Sequence, residues 1–243
     1  GGEYLQTART IVDFALASWV DDSGDGFFAG YDGWPENGTV YPFAYKSVEH
    51  NLDFYAVCTA LYQITGETVY KEAAQSCLRF VDGMYDGDQK LFWSGTTDDG
   101  KTPNTSNIVL DVQVWSALAL GGEYAPYADS VRYAAENLRT PGGGYAFSQS
   151  DRDGGYWPEG TAFAALAFRQ TGMDAEADAA LDVMTAAQLP SGGFPAVADA
   201  ETIGTGFDLF TGEPWRYAAD PHIAPTAWYI LAVLNVNPYV VVP

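Results

Sequence analysis

Basic residues are scarce: 11 Lys and Arg stand against 32 Asp and Glu, for a formal charge of -21. Such a field repels phosphate backbones and anionic lipid surfaces, so nucleic acid and membrane partners are not expected. Cysteine is nearly absent. Cys58 and Cys77 are the only two, too few for a disulfide-dense framework or a four-cysteine zinc site. They fall on the two arms of an expected helical hairpin, where a disulfide and a pair of buried thiols are both open. No apolar run approaches the roughly 20 residues that span a bilayer. The chain opens on Gly1 and Gly2 rather than on a charged and apolar leader, and reads as a mature or trimmed soluble segment. Low lysine and strong acidity favour a secreted, extracellular or periplasmic protein, expected to be a monomer.

What is plentiful is apolar and aromatic surface, at 47% and 15% of the 243 residues, ample for one domain over 1–243. The order of parts repeats: a helix, a Gly/Asp loop with aromatics, a second helix, then a tight turn. The first helices are predicted over Leu5–Trp19, Thr68–Met84, Ala125–Leu138 and Asp174–Leu189, each with apolar residues at helical spacing. The second helices begin near Val48, Ile108, Pro158 and Ala224 and are apolar on most sides, the pattern of buried helices. Tight turns at 65–67, 121–123 and 171–173 make antiparallel hairpins with the long loops on one face. Amphipathic helices alternating with apolar ones predict an all-α fold, an α/α toroid of about four hairpins.

Each second helix starts with polar chemistry. The first start brings Lys46, Glu49, His50 and Asp53, the second Asp111 and Gln113, the third Glu159 behind Trp157, and the fourth Asp220, His222 and Thr226. Acids in a first helical turn are favoured by the helix dipole, and Glu159 after Pro158 fits that simpler reading. Asp53 and Asp111 fit it less well, because a carboxylate inside an apolar helix needs a partner or a cleft. Carboxylates converging from different helices are the equipment of glycoside hydrolysis, one as proton donor and one as base or nucleophile. Loop aromatics such as Phe27, Trp34, Trp93, Phe147, Trp157, Trp215 and Tyr217 suit the apolar faces of pyranose rings. The acidity favours a neutral or cationic glycan over a uronic acid polymer.

On four segments the chain resembles the six-hairpin glycosidase superfamily, in particular bacterial α/α toroid proteins. These are SxEHNLD at 47–53, DxQxW at 111–115, WPEGTA at 157–162 and HxAPTAW at 222–228. The resemblance implies an extracellular carbohydrate-active enzyme, usually a glycoside hydrolase, with Glu49, Asp111 and Glu159 as acid and base and Asp53 as understudy. Lys46, His50, Asp53, Gln113, Trp157, Trp215 and His222 would hold a carbohydrate substrate. The same toroid serves sugar epimerases, polysaccharide lyases and terpenoid cyclases, and a non-catalytic glycan-binding scaffold is a further reading. Cyclisation is disfavoured because the paired acids Asp21-Asp22 and Asp98-Asp99 lie in loops, and no G-x-S-x-G elbow supports serine chemistry. No cofactor is expected. Asp21, Ser23, Asp25, Gly26 and Asp32 match part of a calcium-loop spacing, but no clear helix follows them and an Asp/Gly turn is the simpler reading.

Overall fold

A computed structural model describes residues 2–21, 24–32, 41–121, 125–152, 154–209 and 211–240. The described residues form eight α-helices: α1 Gly2–Ser18, α2 Val48–Thr65, α3 Thr68–Gly83, α4 Leu110–Leu120, α5 Ala125–Asn137, α6 Pro158–Gln170, α7 Asp174–Ala187 and α8 Ile223–Leu234. Every predicted helix is present within a few residues. The strands are short, in order β1 Tyr31–Asp32, β2 Tyr41–Pro42, β3 Tyr85–Asp86, β4 Leu91–Phe92, β5 Phe194–Pro195, β6 Thr202–Asp208, β7 Pro214–Ala218 and β8 Pro221–His222. β1 pairs with β2, β5 with β8 and β6 with β7, all antiparallel.

The chain divides into two compact units, one of Gly1–Tyr85, Trp93–Thr105 and Tyr239–Pro243, the other of Asp86–Phe92 and Ser106–Pro238. In the first, α2 packs on α3 and α1, joined by a turn in which Gly66 takes the left-handed φ of 73° and donates its N–H to Tyr62 O at 2.8 Å. Its core gathers Val12, Phe27, Leu61, Tyr70, Cys58 and Cys77. Both cysteines are free buried thiols, and burial pushes both up, Cys58 to about 12. In the second unit α4, α6 and α8 pack in succession, with α5 against α4 and α7 against α6. The alanine-rich run Thr161–Phe168 of α6 is wholly buried, since small side chains let helices approach on several sides. The turn at 121–123 lies mostly outside the described residues.

One device recurs in all four hairpins. The fourth residue of each second helix ties its own helix to an aromatic of the preceding loop. Asn51 accepts from Phe27 N at 2.8 Å and donates to Ser47 O; Gln113 accepts from Phe92 N at 2.8 Å and donates to Val109 O. Thr161 accepts from Tyr145 N at 2.9 Å and donates to Trp157 O; Thr226 accepts from Phe194 N at 3.2 Å and donates to His222 O. Each satisfies a loop N–H and a helix-start carbonyl that would otherwise lie unpaired, and so gives each hairpin the same register.

The last helix departs from expectation. Its sequence is apolar on most sides, yet Ile223, Ile230, Val233 and Leu234 are exposed. α8 packs on α6 and, more lightly, on α7.

Candidate functional site

The common register sorts the polar residues of the second helices. Glu49, Asp111 and Glu159 occupy the second position of α2, α4 and α6, and α8 has Ala224 there. Four residues on, facing the same side one turn along, stand Asp53, Trp115, Phe163 and Trp228.

In the second unit the three rings meet. Trp115 lies 5.3 Å from Phe163 and is stacked at 5.8 Å on Trp228, and Phe163 and Trp228 are 5.6 Å apart. Asp111 and Glu159 therefore stand one turn above two touching rings, while Ala224 leaves the third place small. The first turns of α4 and α6 are themselves in contact: a Cβ at Gly160 would run into Leu110 and the Trp157 ring. Asp111 is only 5% exposed, and its Oδ1 accepts from Val112 N at 2.6 Å. Glu159 is half-buried.

A second aromatic group adjoins these helix starts. Phe147 O accepts from Leu110 N at 2.9 Å, and Trp157 directly precedes α6. Their rings are 4.6 Å apart, and Tyr217 of β7 lies 6.0 Å from Phe147 and 6.2 Å from Trp157. Trp215, 5.9 Å from Tyr217, is 40% exposed. The β6–β7 hairpin that carries these two is moored by Asn107 Nδ2 donating to Thr205 O at 3.0 Å and by Gly204 N donating to Asp151 Oδ2. Flat rings beside carboxyl groups can hold a pyranose by its apolar face and act on its oxygens.

Three of the expected substrate contacts are buried among partners of their own. Gln113 is fully buried, and its amide is spent on Phe92 N, Phe92 O and Val109 O, so it pins β4 rather than a ligand. Trp157 is 4% exposed and backs the platform whose open face is Trp215. Lys46 is 2% exposed; its Nζ donates to Asp21 Oδ2 at 2.7 Å and to Asp25 O at 2.6 Å. That ammonium holds part of the loop in which the calcium-type spacing falls. Ser23 and the Asp32 side chain lie outside the described residues, among which no cluster of His, Cys, Asp or Glu suits a metal. His222 begins α8 with its side chain exposed. The triad Trp115, Phe163 and Trp228 was missed as part of the site, although the four-residue step from each helix-start position could have found it.

In the first unit, α2 is capped by Ser47, whose Oγ accepts from His50 N. Glu49, His50 and Asp53 follow, and His50 and Asp53 line a 410 Å³ cavity with Trp19, Ala29, Phe54 and Val57. Burial raises Glu49 and lowers His50, the latter against the opposing charge of Asp53. Burial pushes Asp53 up to about 6 against the hydroxyl of Tyr239, which donates to its Oδ1 at 3.0 Å.

Neither a protein-family model nor a curated protein matches the sequence. Solved structures match at the level of fold. A possible member of the GH105 family from Salmonella enterica serovar Paratyphi A is 13% identical over 97% of this chain and 66% of its own, with a TM-score of 0.69. An unsaturated glucuronyl hydrolase from a Bacillus species, responsible for the degradation of glycosaminoglycan, is 12% identical over 96% and 68%, at 0.65. The cellobiose 2-epimerase of Spirochaeta thermophila is 15% identical over 88% and 59%, at 0.58. The chain thus spans 59 to 68% of the length of these neighbours. Its mostly helical fold is similar to that of these α/α toroid proteins, the fold class that the helix pattern predicts.

Proposed function

We propose that the protein is a carbohydrate-active enzyme, a glycoside hydrolase that cleaves a neutral poly- or oligosaccharide by carboxylate acid–base catalysis. The observation that carries this is the placement of Asp111 and Glu159 above the Trp115–Phe163–Trp228 triad, beside the platform led by Trp215. The sugar ring lies on aromatic faces, and the small Ala224 leaves it room. Asp111, fixed as a hydrogen-bond acceptor by Val112 N, serves as base or nucleophile, and Glu159 protonates the leaving oxygen. Glu49, at the same register position of α2, is the third candidate acid or base. The charge of -21 disfavours polyanionic glycans, and the same composition supports an exported monomer.

The test is a screen of neutral glycans for new reducing ends, followed by Asp111→Asn. The substitution keeps the shape of the side chain, so the fold stays intact while turnover falls by about 10³-fold or more. An unchanged rate removes Asp111 from the mechanism. Tight binding without cleavage makes the protein a glycan-binding scaffold. Unsaturated products absorbing in the ultraviolet make it a lyase, and isomerised free sugar an epimerase.

A further inference from the structure

The cavity of the first unit has an unusual lining. Among the described lining residues, Trp19, Ala29, Phe54 and Val57 present apolar surface, and His50 and Asp53 carry the titratable heads. None of the six is fully buried, so a ligand can reach each of them. The aromatic walls are stiff: Trp19 is braced edge-on by Phe14 at 5.5 Å and Phe54 at 6.0 Å, and Phe54 stacks on Phe27 at 4.7 Å.

The polar side is an acid in want of a cation. Tyr239 steadies Asp53 through Oδ1, and Glu49 stands one turn back on the same face of α2. Among the described residues no Lys or Arg forms an ion pair with either carboxyl. Lys46, the nearest cation in sequence, is committed to Asp21 and Asp25. A neutral sugar needs hydrogen-bond partners around its rim, and the cavity offers two. An anion meets Asp53, Glu49 and a net charge of -21.

We propose that this cavity binds a small organic cation, with an ammonium group against Asp53 and an apolar body against Trp19 and Phe54. The carboxylate takes a charge-assisted hydrogen bond from the ammonium, and the indole and phenyl surfaces hold the apolar body. At 410 Å³ the space is that of a compact small-molecule site holding a body the size of one ring. The site stands on residues of the first unit alone and does not rest on the hydrolytic reading.

Calorimetric titration of the full chain with benzylamine and with its neutral counterpart benzyl alcohol, at neutral pH and with no glycan present, tests it. The amine is expected to bind about tenfold tighter or more. Asp53→Asn keeps an acceptor for Tyr239 and should bring the two affinities together. Val57→Trp, which fills the cavity, should weaken the amine by a similar factor. Equal affinities in the wild type, or an amine preference that survives Asp53→Asn, overturns the proposal. Should Asp53→Asn fail to fold, the wild-type ratio and Val57→Trp still decide, since a cavity-filled variant that binds the amine unchanged also sinks it.

Discussion

At the start of α2, His50 and Asp53 border an open cavity, whereas at the start of α4 Asp111 and Gln113 are only 5% and 0% exposed. The two starts hold equivalent positions in the repeat and the same kinds of residue. What differs is the residue one turn further on. α4 places Trp115 there, and its ring joins a packed triad; α2 places Asp53, which carries no surface to pack and leaves the wall open. An aromatic at that position packs against its neighbours and narrows access to the acid above it, while a carboxyl leaves the wall open to water and solute.

The comparison can be broken at its buried polar anchors, which differ in charge. In the first unit, Lys46→Met removes the ammonium from a pair whose side chains are 3% and 8% exposed. Losing one partner of a buried ion pair costs about 3–5 kcal/mol, so denaturant titration should find most of the stability gone. In the second unit, Gln113→Leu strips the partners from Phe92 N and Phe92 O while keeping an apolar shape. Its expected cost is smaller, about 2–3 kcal/mol, with no change in KM for the molecules that fold. A raised KM at unchanged stability would return Gln113 to the substrate site.

The smallest effect sharpens the contrast through pH. Asp53 rises from an ordinary 3.8 to about 6 because burial penalises its charge. A raised folded-state pKa means stability that is complete below about pH 4 and is lost as pH climbs through 6. Because Asp53 is exposed on one side, solvent screening reduces the loss to about 1 kcal/mol. Melting curves of the wild type minus those of Asp53→Asn should show this drop between pH 4 and 7, and a flat difference would mean that the carboxyl is fully hydrated.

Much of the fold was legible before any coordinates. Apolar spacing placed the eight helices, and glycine at 66 and 172 marked tight turns, because both properties are local to a few residues. The polar side chains were harder to read. Lys46, Gln113 and Trp157 look like ligand-holding groups in sequence, since charge, amide and indole suit a sugar. Partners such as Phe92 for Gln113, Asp21 for Lys46 and Tyr217 for Trp157 lie 21, 25 and 60 residues away along the chain. Periodicity carries no record of such partners.

By itself the sequence determined the hairpin repeat and the presence of acids near the starts of α2, α4 and α6, because helix starts and apolar spacing are local to a few residues. Only the tertiary structure decided the common register of those acids and how far each is buried, and that Ile230, Val233 and Leu234 of α8 stay exposed. The physical reason is that burial belongs to neighbours: a side chain loses its water only when residues far along the chain come to cover it.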